Sequence, residues 1–247
     1  MSIFGAYAGK TQSMTDSLPV VAIPGLMCSA RLYAEQIPAL WRFGPVTVAD
    51  HRRDDNMDAI ARRILSSAPQ RFALIGLSMG GYIASTILRL APERVAKLAL
   101  LDTSARADLP ERIEARRALI AMVEEGRFDE VIDLHFPQFV HKNRRHDETL
   151  RRVVRLMAEE TGPQVYIRQQ MAIIGRRDWR DLLPAIRCPT VVIVGDEDEM
   201  TPPKLADEIA AGISGAQLIV VRGSGHLTTL ERPTEVNAAL VNWLAEN

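Results

Sequence analysis

The sequence predicts an α/β protein: a doubly wound, mostly parallel sheet interrupted once by an all-helical insertion. Three observations carry this reading. Six short apolar runs lack strict alternation and close on turn residues, as strands buried on both faces of a parallel sheet do. Segments of helical periodicity separate most of them. From about Ser104 to Leu183 the rhythm stops, and amphipathic helices follow one another with no convincing strand between them.

In chain order, the first strand is PVVAIPG (Pro19 to Gly25), an apolar run ended by turn residues. PVTVAD (Pro45 to Asp50) is the second, followed by a helix over Asn56 to Ser66. RFALIG (Arg71 to Gly76) leads into a helix from Met79 to Leu90, and VAKLALLD (Val95 to Asp102) closes the first part of the sheet. Within the insertion, Leu150, Val153, Val154, Met157 and Ala158 fall at helical spacing on one face. Asp147 suits the start of that helix and Gly162 its end, and Pro163 suits the first turn of the next helix, through Ile174. TVVIVGD (Thr190 to Asp196), a helix over Pro203 to Ala211, QLIVV (Gln217 to Val221) and a helix over Glu231 to Leu244 complete the chain. The organisation expected is a core of residues 1–103 and 184–247 with residues 104–183 inserted as a helical cap. In such sheets, ligands bind beyond the carboxyl ends of the strands, where the cap would sit.

Composition narrows the function. With 247 residues, 47% apolar and 25% charged, the chain suits one large globular domain. The net charge of −1, from 30 basic and 31 acidic residues, argues against nucleic acid or a membrane surface as partner. A small-molecule substrate remains. The one basic stretch, His141 to Arg155, reads as a solvated helix face. Cys28 and Cys188 stand far apart and form neither a disulfide framework nor a metal motif, which suggests reduced thiols in a cytoplasmic setting. The first residues carry Lys10 and Asp16 and no uninterrupted apolar core, unlike a secretory signal, and no apolar run approaches the ~18 residues of a membrane span.

The chemistry concentrates in three places. Gly76-Leu77-Ser78-Met79-Gly80 is a G-x-S-x-G pattern between a strand and a helix, and that context lifts it above chance. A serine at such an elbow stands above the sheet, with the Met79 N–H aimed at a developing oxyanion. A hydroxyl is a weak nucleophile until a base takes its proton. Of five histidines, His226 lies in a glycine-rich loop, RGSGHLTTLERP, after the last strand. His51 sits in a charged run before any nucleophile, and His135, His141 and His146 belong to the insertion. The base needs an orienting carboxylate, and GDEDEMTPP after the penultimate strand offers Asp196, Glu197, Asp198 and Glu199.

With these residues the chain resembles the α/β-hydrolase superfamily, from the strand at Val20 to the final helix, in the family's order Ser…Asp…His. The resemblance implies that the acid is Asp198, because Gly195 to Pro202 follows the family's G-x-x-D-x-x-T-P loop; the neighbouring acids are then solvated charges. Asp102 is the alternative, since some members draw the acid from the preceding strand end. The family's second oxyanion donor comes from the loop after the first strand, often beginning His-Gly. Here that loop reads Pro24-Gly25-Leu26, and the backbone N–H of Leu26 takes the role. A serine at the elbow separates the chain from the dehalogenases and epoxide hydrolases of this fold, which use aspartate.

The resemblance therefore implies a serine hydrolase of a small ester or lactone, with catalytic Ser78, Asp198 and His226, an oxyanion hole from Leu26 and Met79, and no metal or organic cofactor. The superfamily also puts this triad to carbon–carbon bond hydrolysis, elimination or thioester cleavage, and some scaffolds serve as ligand-binding proteins. Arg106, Arg168, Arg176, Arg177 and Arg180 of the insertion are candidates for holding a substrate carboxylate.

Overall fold

The computed structural model describes residues 17–246. The reading of the first residues, Lys10 and Asp16 among them, as unlike a secretory signal lies outside that range. Among these residues, six parallel strands form one sheet in the order β2-β1-β3-β4-β5-β6. They are β1 (Val20–Ile23), β2 (Val46–Val48), β3 (Phe72–Leu77), β4 (Val95–Leu101), β5 (Thr190–Gly195) and β6 (Gln217–Val221). β1, β3 and β5 are buried at every residue. The expectation of burial on both faces fails at the two edges, where Thr47, Gln217 and Val220 are exposed. An edge strand has a neighbour on one side only, and its outer residues meet solvent.

The helices are α1 (Gln36–Leu40), α2 (Met57–Ser67), α3 (Met79–Leu90), α4 (Pro110–Glu124), α5 (Phe128–Phe139), α6 (Glu148–Thr161), α7 (Pro163–Ile174), α8 (Pro203–Gly212), α9 (Thr228–Glu231) and α10 (Pro233–Ala245). α2 starts where Asn56 Oδ1 accepts the Ala59 N–H at 2.9 Å, and it buries Met57, Ile60, Ala61 and Ile64 on one face. α3 is buried on all sides from Met79 to Leu88 and packs on β3 and α2. A helix this apolar is stable only inside the molecule. The last predicted helix, expected from Glu231, starts at Pro233 as α10, and a separate short helix, α9, comes before it. Pro233 excludes helical backbone at the residue before it, and Arg232 takes φ −137°, ψ 58°, so α9 ends and α10 begins there.

Between β4 and β5 the chain forms α4 to α7 and, among the described residues, no strand. Asp147 Oδ1 accepts the Leu150 N–H at 2.9 Å to start α6, and Gly162, at φ 80°, ends it as its composition predicts. The basic stretch is not a plain solvated face. Arg155 bonds Asp129 and Asp133 of α5, each at 2.9 Å, Arg151 lies 4.2 Å from the centre of the Phe136 ring, and Arg144 holds Asp147 and the Glu231 carbonyl. These contacts bind α5, α6 and the C-terminal loop together. No helix among the described residues is long and apolar enough to cross a membrane.

Candidate active site

The strand order reverses between β1 and β3: from β1 the chain proceeds to one edge, and from β3 to the other. Crevices at such reversals, beyond the carboxyl ends of the strands, are where open α/β sheets bind ligands. Ser78 and Leu26 stand there, directly after β3 and β1.

Ser78 has φ 54°, ψ −114°, a conformation that side-chain-bearing residues rarely adopt. Its flanks explain how the turn closes. A Cβ on Gly76 would lie 2.5 Å from the Gly80 carbonyl oxygen, and one on Gly80 would overlap the Ile23 carbonyl oxygen. Glycine at both positions lets α3 leave β3 at this angle with backbone against backbone.

His226 Nε2 lies 2.8 Å from Ser78 Oγ, and His226 Nδ1 lies 2.8 Å from Asp198 Oδ2. Asp198 is 2% exposed. Its Oδ1 accepts the Met200 and Thr201 N–H groups at 2.8 and 2.9 Å, and its Oδ2 accepts the Thr201 hydroxyl at 2.7 Å. These donors compensate for burying the carboxylate and fix the oxygen that faces the imidazole. The His226 loop is held from both sides of the fold. The His226 and Leu227 N–H groups donate to the Phe139 carbonyl at 3.0 and 3.1 Å, so the end of α5 seats the loop. Glu231 accepts from the Gly225 N–H at 2.7 Å and the His141 N–H at 2.8 Å, joining loop and insertion from below.

Asp102 does not touch His226. Its Oδ1 accepts the Gly195 N–H at 3.1 Å, and its Oδ2 pairs with the Thr228 hydroxyl at 2.6 Å and accepts the Thr228 N–H at 3.3 Å. Burial, followed by the neighbouring Asp198 charge, pushes its pKa well above the usual carboxylate value. It ties β4 to β5 and α9. The other acids of the loop are paired rather than merely solvated: Asp196 accepts the Ser224 N–H, Glu197 meets Lys142 at 2.8 Å, and Glu199 meets Arg145 at 2.7 Å.

The Leu26 loop passes close to Ser78, since a Cβ on Gly25 would sit 3.4 Å from the Ser78 Cβ. Among the described residues, the N–H groups of Leu26 and Met79 find no protein acceptor. The loop turns at Met27, which has φ 58°, and closes with the Cys28 N–H on the Gly25 carbonyl at 3.2 Å. Gln169 of α7, fully buried, accepts the Met27 N–H at 3.0 Å. Its amide nitrogen lies 3.0 Å from His51 Nε2, which is also 3.0 Å from the Gly25 carbonyl. Burial lowers the His51 pKa and keeps the ring neutral, so Nε2 serves one of these partners at a time. The insertion thus reaches under the main fold and grips the loop that carries Leu26. Nothing in the residue pattern around Gln169 or His51 signals this link, because it spans 118 residues and depends on how α7 docks.

Ser78 and His226 open into a narrow cleft of about 430 Å³, mouth included, walled by Leu26, Tyr82, Phe139, Ile173 and Leu227. The Cys28 thiol also lines it, and burial raises its pKa to about 12, so it is not a competing nucleophile. None of the arginines expected to face substrate lines this cleft. Arg106 bonds Glu208, Arg168 the Arg52 carbonyl, Arg180 Asp178, and Arg176 is buried on Asp108. Arg177 borders a separate cleft beside α2 and α3. The arginines that do line it are Arg112 and Arg116 of α4.

Residues 20–239 match the alpha/beta hydrolase family. A pimeloyl-[acyl-carrier protein] methyl ester esterase of Neisseria meningitidis serogroup B is 28% identical over 254 aligned positions, covering 96% of each chain. The structure of a thermophilic esterase from Thermogutta terrifontis aligns with TM-score 0.84 at 29% identity, over 92% of this chain and 89% of that one. The enol-lactonase from Burkholderia xenovorans LB400 shares the fold at TM-score 0.83 and 22% identity, over 93% and 92% of the two chains.

Proposed function

The chain belongs to the alpha/beta hydrolase family, and from that premise we propose that it is a carboxylic ester hydrolase acting on a small ester or lactone through a Ser78–His226–Asp198 triad. The supporting observation is the continuous hydrogen-bonded path from Ser78 Oγ through both ring nitrogens of His226 to the buried Asp198 carboxylate, 2.8 Å at each step. Esterases among the similar proteins agree with this reaction class.

In this mechanism Ser78 Oγ attacks the ester carbonyl while His226 Nε2 takes its proton. The carbonyl oxygen becomes an oxyanion, stabilised by the Leu26 and Met79 N–H groups. Asp198 holds the Nδ1–H tautomer and stabilises the imidazolium. The tetrahedral intermediate collapses, the C–O bond to the leaving group breaks, and His226 returns the proton to the departing alkoxide. Water, deprotonated by His226, then hydrolyses the acyl-enzyme and regenerates Ser78. The insertion, residues 104–183, acts as a cap over the cleft; it restricts acyl size and keeps bulk water from the reacting centre.

A graded ester panel with Ser78→Ala and fluorophosphonate labelling tests this reading. Wild-type protein labels rapidly at Ser78 and hydrolyses short esters faster than long ones, while Ser78→Ala loses several orders of magnitude in kcat with its fold intact. Retention of most activity by folded Ser78→Ala would refute the mechanism. Failure to label would favour a ligand-binding role.

A further inference from the structure

The charges around the cleft do not balance. Asp108, its side chain 1% exposed, accepts from Arg116 Nε at 2.6 Å and from Arg176 Nη2 at 2.8 Å. Arg112 Nε approaches the same carboxylate at 3.7 Å. Burial works to raise the pKa of Asp108, but Arg176 and Arg116 outweigh it and hold the carboxyl well below the usual range. Three guanidinium groups therefore surround one ionised carboxylate. Arg176 is spent on Asp108, the Ile173 carbonyl and the face of Tyr82, whose ring centre is 4.2 Å from it. Arg116 and Arg112 instead line the cleft that holds Ser78 and His226.

These two arginines lie four residues apart in α4 and so share one helix face. Arg116 is 7% exposed, and Gln170 Oε1 accepts from its Nη1 at 2.8 Å, fixing the plane of the guanidinium. Arg112 is looser: its Nη1 donates to the Met200 carbonyl at 3.2 Å, and its side chain is 44% exposed. Among the described residues, neither Nη2 makes a hydrogen bond, and no carboxylate lines the cleft. His135, which lies near Arg116, adds no negative charge; it is neutral, its pKa brought down to about 4 by burial and then by the Arg116 charge. A partly desolvated cationic wall facing a nucleophile favours an incoming planar anion, and a guanidinium fork matches a carboxylate.

We propose that the substrate carries a free carboxylate remote from its scissile carbonyl, and that Arg112, backed by the fixed guanidinium of Arg116, holds it while the carbonyl reaches Ser78. This rests on the esterase reading above and deepens it: the substrate class becomes small half-esters of dicarboxylic acids and lactones bearing a carboxylate. Arg112 is the specificity residue because it combines cleft exposure with weak internal pairing. Arg116 and Asp108 hold the surface against which it works.

The test compares monomethyl glutarate with its uncharged isostere, methyl 4-carbamoylbutanoate. Wild-type kcat/KM should favour the acid by roughly tenfold or more, the scale of one charge-assisted contact. In Arg112→Gln that ratio should fall to within about twofold, and Arg112→Lys should recover part of it. Equal rates for the two esters in wild-type protein would overturn the proposal, as would a preference that survives in Arg112→Gln. Equilibrium binding of the same esters to Ser78→Ala protein, with and without Arg112→Gln, separates this inference from the catalytic one. Selective binding of the acid that depends on Arg112 supports the carboxylate site even where turnover fails. Unselective binding overturns it even where neutral esters are hydrolysed.

Discussion

Asp198→Asn isolates the function of the buried acid, because the amide preserves shape and removes charge. Four donors surround the carboxylate: the Met200 and Thr201 N–H groups on Oδ1, the Thr201 hydroxyl and His226 Nδ1 on Oδ2. An asparagine oxygen can keep both backbone bonds, which places its NH2 at the Oδ2 position. The Thr201 hydroxyl can rotate and accept from it, so folding loses little more than about 1–3 kcal/mol of charge-assisted bonding. His226 has no such freedom. Its Nδ1 must become the acceptor, the ring proton moves to Nε2, and that proton then points at Ser78 Oγ instead of leaving a base there. A wrong tautomer of this kind costs ~10⁴ in kcat, equivalent to about 5 kcal/mol of transition-state stabilisation. Asp102→Asn is the comparison. Asp102 faces Thr228 and Gly195 rather than His226, and burial together with the Asp198 charge raises its pKa. Its amide can donate to the Thr228 hydroxyl and give up the long 3.3 Å bond from the Thr228 N–H, at a cost of about 1 kcal/mol in stability. Steady-state kinetics on one short ester, with circular dichroism and thermal melts for each variant, read both effects. Asp198→Asn retaining kcat within tenfold of wild type, or Asp102→Asn proving the slower enzyme, would refute the assignment of the acid.

Two further expectations rest on buried groups of the insertion. Gln169→Leu leaves the Met27 N–H without its acceptor, so a loss of about 1–3 kcal/mol in unfolding free energy is expected, with kcat down roughly tenfold if the neighbouring Leu26 N–H serves as proposed; unchanged kcat would show that α7 does not position this loop. His135, stacked on Phe139 and 2.9 Å from the Tyr166 hydroxyl, has its folded-state pKa depressed to about 4, chiefly by burial. Its contribution to stability is therefore complete above the unfolded value of ~6.5, declines as the unfolded chain takes up a proton, and is lost as pH falls through about 4, a span of about 3 kcal/mol. Denaturant unfolding of wild type and His135→Gln across pH 4 to 7 measures this difference, and parallel pH profiles would exclude the histidine as its source.

The sequence by itself determined the elements whose signal is local. G-L-S-M-G between an apolar strand and an apolar helix specifies the elbow, since small residues are needed wherever strand and helix backbones meet. The order of Ser78, Asp198 and His226 could be read because each follows a strand end, and parallel strands bring all such ends to one edge of the sheet. The helix over Met79–Leu90 and the Asp147 and Gly162 boundaries of α6 likewise depend on neighbours a few residues away. The loop pattern pointed to Asp198 over Asp102, but only the tertiary structure shows which carboxylate meets the His226 ring, because both follow strand ends and the contact depends on where that ring points. The tertiary structure also decided which arginines face the cleft. Arg176 and Arg116 carry the same charge in the same insertion, yet one faces Tyr82 and the other lines the cleft, according to the docking of α4 on α7. The grip of Gln169 on the Met27 turn is of the same kind. Residues 142 apart meet there through packing, and charge, spacing and periodicity carry no record of a contact at that distance.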